Sequence, residues 1–476
     1  MFDLASRCGR SADLSMAIND RAMFHADNAY SLGSALITSH RLRTNTVSNT
    51  AFRGFGGPQG MMGIERAMDV VALALGKDPL DVRLANLYGV AGDTTPYGQV
   101  VRDSVALELM RELEVDCDYR ARRRAITAWN GENRWIKRGL ALTPVKFGIS
   151  FTTKHLNQAG ALVHVYVDGS IHLNHGGTEM GQGLMIKVAQ VVADEFQVPL
   201  QSVKISATRT DKVPNTSATA ASSGADLNGM AAADACATIK ARLTAFAAAQ
   251  FSCDPGEVAF TLAGVRIGGK LMPFAELARQ AYLARLSLSS TGYYRTPDIH
   301  YDRASHTGHP FYYFAYGAAA SEVAIDTLTG ESKVVRVDIL HDVGKSLNPA
   351  LDLGQIEGGF IQGLGWLTTE ELMFDGTGRL STHSPSTYKI PTAGDRPDAF
   401  NIRIWAGGVN REPTIHRSKA VDEPPLVLAI SAFSAITDAV ASVGCHKVMP
   451  NLDAPATPER ILAAVDDVRR RAGGDD

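Results

Sequence analysis

Two stretches of alternating apolar and polar residues constrain the fold most, because each predicts two strands joined by a tight turn. Residues 161–175 (ALVHVYVDGSIHLNH) alternate on both sides of Asp168 and the glycine after it, and residues 322–340 turn in the same way near Thr329. A glycine-containing turn between two such runs indicates a β-hairpin. Each hairpin precedes a loop that carries glycines and an amide side chain. The two units either form related lobes around one site or repeat a common α+β unit independently, and the sequence favours neither reading.

Helices alternate with these strands, so the sequence predicts an α+β fold. Apolar residues recur at helical spacing in five segments, and a short helix follows a cap-like Ser-Ala-Asp that ends at Asp13. The five segments are 60–90, 183–197, 227–250, 426–443 and 457–471. No strand followed by a turn is predicted in the first 20 residues, and no element is assigned to the polar, charged stretch at 112–138.

Length and charge exclude several classes of protein. The chain has 476 residues, of which 45% are hydrophobic and 20% charged, so it can bury a large core and is not a disordered chain. At roughly 150 residues per domain, this length corresponds to about three domains. The formal net charge is −3 and no basic run occurs, so we expect no binding to nucleic acid.

Cysteine usage and the first residues indicate a cytoplasmic protein. The five cysteines are scattered without a CxxC pair, which argues against a disulfide framework and against an iron–sulfur or zinc site built from cysteines alone. The first residues lack the charged and then apolar pattern of a signal peptide. The most apolar segment, 426–443, is interrupted by Ser, Thr and Asp438, so we expect a buried helix that is too polar to span a membrane.

Two glycine-rich loops are candidates for ligand binding. In residues 51–60 (AFRGFGGPQG), Arg53 offers a charged fork for an anionic oxygen and Phe55 a face for a planar ring. The segment lacks GK[ST] and is therefore no P-loop, and a tight surface loop is the alternative. In residues 175–183 (HGGTEMGQG), the backbone donors before a helix suit an anion, and Gln182 can both donate and accept hydrogen bonds. This loop lacks the GxGxxG spacing of a Rossmann site.

A run of small residues and a pair of acids mark two further candidates. Residues 217–226 (SATAASSGAD) either allow a bulky group to approach closely or form a flexible loop. Asp422 and Glu423 stand directly before Pro-Pro and an apolar helix. A carboxylate at that place either complements the helix dipole or has its pKa raised by apolar surroundings, which suits proton abstraction.

Other residues have structural interpretations when taken singly. Phe147 and Phe151 fall on one face of a predicted strand, and such pairs more often belong to a core. Arg21 lies alone in its helix, where an arginine is more often a solvated charge. The 13 histidines show no HExxH or other metal-ligand spacing, so we treat them as structural.

Four motifs in their order and spacing reveal a family resemblance. AFRGFGGPQG, HGGTEMGQGL, TAASS and SKAVDEPP together resemble the molybdenum-cofactor-binding part of the xanthine oxidase family of molybdenum hydroxylases, over a match from about Asp13 to about Val443. In that family a pyranopterin dithiolene and oxo, sulfido and hydroxo ligands hold the metal, without a direct protein ligand. The resemblance implies two elongated cofactor-binding lobes with mixed sheets and flanking helices, the first lobe incomplete. It implies the C-terminal part of a first molybdopterin-binding domain in residues 1–104 and a second such domain in residues 105–476.

The resemblance also implies which residues contact the molybdenum–molybdopterin cofactor. Gln182, with Met180 and Gly181 beside it, matches the loop at the molybdenum ligands. Arg53 matches an arginine next to the metal centre, and Gln355 matches another pterin-binding amide. The loop that wraps the pterin comprises Thr219, Ala220, Ala221, Ser222, Ser223 and Gly224.

A purine substrate and its chemistry follow from the same resemblance. Phe55 and Phe151 match two phenylalanines that sandwich the heterocycle, and Thr152 is similar to a neighbouring polar contact. Arg21 matches an arginine that faces the purine away from the reacting carbon, a position that is usually not arginine in related aldehyde oxidases. The implied reaction takes hypoxanthine to xanthine and xanthine to urate, with water as the oxygen source. Glu423 matches the base that takes the proton from the Mo–OH group before the oxygen attacks carbon and hydride passes to the sulfido ligand.

The family sends its electrons to iron–sulfur clusters, flavin and NAD. This sequence has no cysteine cluster or dinucleotide motif for [2Fe-2S], FAD or NAD. We therefore expect those sites on an iron–sulfur/FAD partner subunit of a hetero-oligomer, or on a missing portion of the chain.

The sequence departs from the family pattern in two ways. Asp422 stands where the family usually has glycine before the base, and a further N-terminal part with another glutamine and a purine-anchoring glutamate is not found. We therefore expect a fragment, a split gene or an incorrect start. Two alternatives stay open, namely a hydroxylase for aldehydes or other N-heterocycles and a non-catalytic truncated remnant that serves as a scaffold.

Overall fold

A computed structural model of the protein describes residues 1–212 and 215–473. The helices are α1 Ser15–Phe24, α2 Gly57–Leu75, α3 Pro79–Asn86, α4 Ala106–Asp116, α5 Tyr119–Glu132, α6 Leu184–Phe196, α7 Gly224–Phe251, α8 Phe274–Leu283, α9 Pro349–Thr368, α10 Pro424–Val427, α11 Ile430–Val443 and α12 Pro458–Arg471. The strands are β1 Phe2–Gly9, β2 Ile37–Arg43, β3 Ile136–Ile149, β4 Gln158–Val165, β5 Ile171–His175, β6 Val203–Ile205, β7 Val258–Thr261, β8 Gly264–Ile267, β9 Lys270–Met272, β10 Ser289–Arg295, β11 His300–Asp302, β12 Thr307–His309, β13 Tyr313–Asp326, β14 Ser332–Asp342 and β15 Ala399–Ile404.

Two four-stranded mixed sheets organise these elements. The order is β15-β14-β13-β3 in one sheet and β10-β4-β5-β6 in the other, and each contains one parallel edge pair beside antiparallel strands. Both predicted hairpins are confirmed as β4–β5 and β13–β14, and the second has longer strands than its alternating pattern suggested. After each hairpin the chain forms a loop and then a helix, α6 or α9. The α+β fold with mixed sheets and flanking helices is therefore confirmed.

A long buried helix packs across each sheet, α11 on β3 and β13, and α7 on β10 and β4. A glycine in the strand makes each approach close. A Cβ on Gly139 of β3 would lie 2.0 Å from the carbonyl oxygen of Ala435, and a Cβ on Gly292 of β10 would lie 2.0 Å from that of Ala231. Both helices therefore need a strand position without a side chain.

We expect Gly139→Ala to lower the free energy of unfolding by about 1–3 kcal/mol, because α11 must move away from the sheet to admit the methyl group. Urea unfolding measures this change. Gly131→Ala on α5 is a matched control, because nothing lies within 4 Å of its Cβ position. The control should be neutral or stabilising by up to about 1 kcal/mol, and equal losses in both variants would contradict the packing explanation.

Three predictions of secondary structure are corrected. Residues 60–90 form two helices, because Gly76 ends α2 in a left-handed conformation and Asp78 caps α3 at Leu80 N–H before Pro79. The charged stretch at 112–138 contains the end of α4, all of α5 and the start of β3. Helix α5 was missed because it buries little more than Tyr119 and Ile126. The first 20 residues do contain a strand, β1, which pairs in parallel with β2.

The apolar segment before Val443 is buried, as predicted, although its composition does not decide this. Residues Pro424–Val443 are long and apolar enough to cross a membrane, with a mean hydropathy of 1.9 over the most apolar window. However, 83% of that window is buried inside the protein, where α11 packs on β3, β13 and α12. Burial identifies a core helix, whereas the expectation that the segment is too polar to span was wrong.

Candidate functional site

The loops that the sequence singled out meet beside α9, where hydrogen bonds join them. The loop before α2 supplies Arg53 and Phe55, and the loop before α10 supplies Glu423. The segment between β5 and α6, the run of small residues before α7, and Gln355 on α9 complete the site. Hydrogen bonds join these segments across 41 to 369 residues of sequence, so only the fold brings them together.

Arg53 joins three of these segments through its guanidinium group. Its Nε donates to the backbone carbonyl of Asp422, and its terminal nitrogens donate to Oε1 of Gln362 and of Gln355, each at 3.2 Å. Gln355 in turn donates from Nε2 to the carbonyl of Gly181 at 3.5 Å. Burial lowers the pKa of Arg53, while Asp422 and Glu423 act in the opposite direction. The guanidinium group therefore fixes the loop before α10 relative to α9.

The carboxylate of Glu423 is oriented from two sides. Gly54 N–H donates to Oε1 at 3.2 Å, and the Ser222 hydroxyl donates to Oε2 at 2.9 Å. The same hydroxyl oxygen accepts from the backbone N–H of Glu423 at 2.9 Å. The side chain is only 13% exposed, so the carboxylate has few orientations available, and Gly54 and Ser222 together determine which one it takes.

Arg21 lies next to this carboxylate instead of in solvent. One of its terminal nitrogens is 3.9 Å from Oε2 of Glu423, and its side chain is 1% exposed. The guanidinium donates to the carbonyls of Ser150 at 2.8 Å and Gly148 at 2.5 Å. Burial lowers the pKa of Arg21, and the nearby Glu423 charge opposes this shift. A solvated arginine was thus the wrong interpretation, whereas the purine-facing role of Arg21 stays a prediction.

Phe55 and Phe151 form an apolar wall beside the charged pair. Their ring centroids are 5.1 Å apart with an interplanar angle of 55°, and they pack with Ala17 and Ala221. The Thr152 hydroxyl donates to the carbonyl of Ala17 at 3.4 Å, which holds the segment after Phe151 on α1. Phe147, the other half of the predicted pair, lies in the main core instead.

Three residues at or next to this wall have a strained backbone. Phe55, Ala221 and Ser222 all adopt positive φ angles, of 52°, 57° and 57°. A non-glycine residue in this region costs of the order of 1–3 kcal/mol and persists only where its surroundings enforce it. The strain places the Phe55 ring, the Ala221 methyl group and the Ser222 hydroxyl where an ordinary turn would not.

The loop at 175–183 does not offer its amides to an anion in the expected way. Its own Glu179 accepts hydrogen bonds from the N–H groups of Gly181, Gly183 and Met185 at the start of α6, at 2.9 to 3.1 Å. Burial works to raise the pKa of Glu179, but these backbone hydrogen bonds outweigh it and lower the pKa. The expected anion site at this helix start is thus filled by a side chain of the protein.

The other groups of this loop are arranged around an open position. Gln182 accepts from Met180 N–H at 2.5 Å and donates to the carbonyl of Thr178 at 2.8 Å. Gly181 has a φ of 97° and open space where a Cβ would lie, and Met180 is 67% exposed. The tip of the loop therefore faces free space.

The run of small residues packs directly against this loop. The Thr219 hydroxyl accepts from Thr178 N–H at 2.9 Å, which ties the two loops together. The Ser223 hydroxyl donates to the carbonyl of Ala220 at 3.3 Å, and Gly224 begins α7. Hydrogen bonds thus tie this run to its neighbours, whereas the close approach of a bulky group stays a prediction.

Asp422, the residue before Glu423, lines a small cavity. Its Oδ1 is buried without a hydrogen-bond partner among the described residues. A cavity of about 20 Å³, enough for one water molecule, is lined by Lys187, Ser222, Ala225, Asp226, Leu347, Asp352, Ser418, Lys419, Ala420, Val421 and Asp422. Burial raises the pKa of Asp422 to about 6, while Lys187 and Arg53 lower it and Glu423 raises it. The unusual acid therefore lies in a mixed-charge cluster.

Asp422→Asn is expected to stabilise the protein above about pH 6. Between the ordinary pKa of 3.8 and the folded value of about 6, the folded protein binds a proton that the unfolded chain releases. Stability conferred by this proton falls as the pH rises through that window and is gone above it. The gain from asparagine should reach at most about 3 kcal/mol near pH 8 and vanish below about pH 4, as urea unfolding at several pH values would measure.

Asp375→Asn is the matched control. Hydrogen bonds, chiefly from the Thr377 hydroxyl, lower the pKa of this exposed carboxylate, so its effect has the opposite sign. The control should lower stability at neutral pH. A flat pH dependence of the difference between the Asp422→Asn protein and the parent would contradict the burial of an acid at this position.

Sequence reasoning missed three residues that build the site. Gln362 accepts a hydrogen bond from Arg53, and Glu179 accepts from the backbone N–H of Gly183 just before α6. His25 forms a hydrogen bond with the backbone carbonyl of Arg21. The spacing of seven between Gln355 and Gln362 could have identified the first, because it places both on one helix face. The other two depend on contacts that no local pattern reveals.

No group of three or more His, Cys, Asp or Glu side chains in residues 1–212 and 215–473 could hold a metal ion. A larger cavity, of about 380 Å³, lies elsewhere, between α2, α5 and α11. It does not include the site residues described above. The site thus offers amides, hydroxyls, a guanidinium and carboxylates for hydrogen bonding instead of a metal-binding cluster.

Comparisons with known proteins bear on this arrangement. Two family models, both described as molybdopterin cofactor-binding domain, match residues 1–87 and 112–397. The xanthine dehydrogenase of Oryza sativa subsp. japonica is 45% identical over 481 residues, which cover 99% of this chain and 34% of that protein. The xanthine dehydrogenase/oxidase of Rattus norvegicus is 46% identical over 464 residues, covering 96% and 33%. The chain thus spans about a third of the length of the curated relatives it matches.

Solved structures agree with the fold. Quinoline 2-oxidoreductase from Pseudomonas putida 86 superposes with a TM-score of 0.85 at 24% identity, over 98% of this chain and 60% of that one. Aldehyde oxidoreductase from Desulfovibrio gigas superposes with a TM-score of 0.79 at 23% identity, over 98% of this chain and 47% of that one. The family resemblance drawn from four motifs is confirmed, while the domain boundary at residue 104 stays a prediction.

Proposed function

Because the chain belongs to the family of molybdopterin cofactor-binding domains, we propose that it is the molybdenum-bearing part of a purine hydroxylase. The reaction takes hypoxanthine to xanthine and xanthine to urate, with water as the oxygen source. One observation carries the proposal: the carboxylate of Glu423 and the guanidinium of Arg21 lie 3.9 Å apart beside the wall of Phe55 and Phe151. The names of relatives at 45% and 46% identity support the choice of a purine.

The residues present fit the cofactor. The open position at Gly181 leaves room for a ligand at the tip of the loop. The side-chain amides of Gln182 and Gln355 lie beside this tip, and amide groups suit the nitrogens and oxygens of a pterin. No cluster of protein ligands is needed for this fit, because the pterin would hold the metal. Gln182, Gln355, Arg53 and the loop from Thr219 to Gly224 would hold the group. When bound, it supplies a two-electron acceptor and a water-derived oxygen nucleophile.

Glu423 acts as the base of the proposed reaction. Its carboxylate would take up the proton that the attacking oxygen gives up. The Gly54 N–H and the Ser222 hydroxyl keep both carboxylate oxygens in fixed positions before that transfer. Such a preset geometry avoids reorientation of the base during the reaction.

Arg21 and the two phenylalanines bind and polarise the substrate. The rings of Phe55 and Phe151 offer apolar contact to the flat heterocycle and exclude water from it. The buried guanidinium of Arg21 stabilises negative charge that develops on the purine when the oxygen adds to carbon. At about 4 Å and an effective dielectric near 20, such an interaction is worth about 4 kcal/mol before desolvation.

The proposal includes partners outside this chain. It requires [2Fe-2S], FAD and NAD sites on an iron–sulfur/FAD subunit or on the remainder of a longer protein, in a hetero-oligomer. A cytoplasmic location is also proposed, supported by five free cysteines, of which three are buried. No role in binding nucleic acid or a membrane is proposed, in line with the near-neutral charge and the buried apolar helix.

A hydroxylase for aldehydes or other N-heterocycles is the second candidate. Its support is the fold shared with quinoline 2-oxidoreductase and an aldehyde oxidoreductase. Those structures are only 23–24% identical to this chain, so they support the fold more than the substrate. The retained arginine at position 21 favours the purine.

Purification of the full protein with its partners tests the proposal. We expect the purified protein to contain molybdenum and pterin in equal amounts. The kcat/KM values for hypoxanthine and xanthine should be higher than those for benzaldehyde and quinoline. Preferential oxidation of benzaldehyde or quinoline would select the second candidate. Cofactor binding without oxidation of any of these compounds would select the non-catalytic scaffold.

A further inference from the structure

We infer that His25 is a positioning residue for Arg21, which it holds against β3 through a closed ring of hydrogen bonds. The inference deepens the proposed function and rests on it for the substrate. His25 directly follows α1 and is fully buried, with 0% exposure. Its Nδ1 lies 2.8 Å from the backbone carbonyl of Arg21, and its Nε2 accepts from Gly148 N–H at 3.0 Å.

These two contacts fix the protonation state of the ring. A carbonyl can only accept, so Nδ1 must carry the hydrogen, and Nε2 must be bare because Gly148 N–H points at it. Only the neutral imidazole protonated at Nδ1 makes both bonds. Burial, followed by the charges of Arg21 and Lys146, lowers the pKa of His25 well below its ordinary value, which keeps the ring neutral at neutral pH.

The ring of contacts closes on the guanidinium itself. Gly148 donates its N–H to His25 and accepts at its carbonyl from Arg21 at 2.5 Å. Gly148 therefore holds Arg21 at two places. It binds the guanidinium directly, and it binds the backbone carbonyl of Arg21 through the imidazole of His25. Without the imidazole, the turn of α1 from which the guanidinium projects would lose its bond to β3, and the guanidinium would shift away from the Gly148 carbonyl.

The aromatic surroundings serve both side chains together. The Arg21 guanidinium lies 4.7 Å from the ring of Phe147 and 5.3 Å from that of Phe311, and the His25 ring lies 4.9 and 5.1 Å from the same two rings. A Cβ on Gly57, two residues after Phe55, would lie 3.5 Å from Cγ of His25. The imidazole thus also lies close to the start of α2, next to the wall of Phe55 and Phe151.

The test compares His25→Phe with His25→Gln in the full protein assembled with its cofactors and partners. Phenylalanine keeps a ring between Phe147 and Phe311 but makes neither hydrogen bond, whereas glutamine can donate and accept. We expect His25→Phe to lower kcat/KM for xanthine roughly 10- to 100-fold, as for other small displacements of a positioned group. His25→Gln should recover much of that loss, with molybdenum content unchanged in both.

A double-mutant cycle with Arg21→Met separates positioning from general structural damage. If His25 acts through Arg21, His25→Phe should lower kcat/KM for xanthine only slightly in the Arg21→Met background. The rate of benzaldehyde oxidation should also change little, because benzaldehyde has no purine ring on which charge develops. An equal loss in both backgrounds would overturn the inference. A crystal structure of the His25→Phe protein should show the guanidinium displaced from the Gly148 carbonyl, and an unmoved guanidinium would also overturn it. That crystallographic result stands even if the parent protein oxidises no purine, so failure of the proposed function is distinguishable.

Discussion

Replacing Glu423 with glutamine in the assembled protein should reduce purine turnover by about 10²–10⁴-fold, the contribution of a positioned acid–base group. Glutamine keeps the shape, its carbonyl oxygen can still accept from Gly54 N–H, and its NH2 group can donate to the Ser222 hydroxyl oxygen where the native carboxylate accepts. It cannot take up a proton at neutral pH. The loss should therefore appear in kcat, with cofactor content and the free energy of unfolding close to those of the parent.

Steady-state kinetics with xanthine, together with metal and pterin analysis, measures this effect. Glu357→Gln is the matched control, because Glu357 is an exposed acid two residues after Gln355 on α9. The control should leave turnover unchanged. Full activity in the Glu423→Gln protein would exclude Glu423 as the base, whereas loss of molybdenum would mean that the side chain holds the cofactor region together.

Arg21→Met should lower kcat/KM for xanthine by roughly 10²–10³-fold, the range for loss of one preorganised group that stabilises developing charge. Methionine preserves the apolar packing on Phe147 and Phe311 but removes the positive charge beside Glu423. Arg21→Lys should recover only part of the rate, since a single ammonium cannot make the forked contacts to Ser150 and Gly148.

The purine assignment depends on the outcome with a second substrate. Benzaldehyde should lose far less rate than xanthine in the Arg21→Met protein, because it offers no purine ring on which charge develops. Arg41→Met, at an exposed position of β2, controls for loss of a positive charge. Equal losses for both substrates would show that Arg21 maintains the site in general, and an unchanged rate with xanthine would remove the main support for a purine.

Much of the site was predictable because its chemistry is carried by short contiguous segments. The residues around Arg53, Gln182 and Glu423 are recognisable from four motifs in order, and these motifs also predicted loops that precede helices. The hairpins were predictable because alternation and turn glycines are local signals. The charged helix α5 and the strand β1 were not, because helix α5 buries few side chains and β1 depends on pairing with a strand 35 residues away in the chain.

The roles of single residues were much less accessible. Arg21 looked like a solvated charge on its own, yet the fold buries it against two aromatic rings beside a carboxylate 402 residues further along the sequence. His25 had no motif, and its role follows only from a strand that passes its ring. Asp422 departs from the family pattern, and its position beside a small cavity of mixed charge became visible only in three dimensions.

The amino-acid sequence by itself determined the family, the α+β class and the set of loops with suitable chemistry, because these depend on residue types and spacings along the chain. Only the tertiary structure decided which loops share hydrogen bonds, which charges are buried and which apolar helix is a core helix. Burial and long-range contacts set the electrostatics of a site, and both arise when segments hundreds of residues apart pack together. In this protein, that packing brings the buried Arg21, the neutral His25 and the oriented Glu423 together in one site.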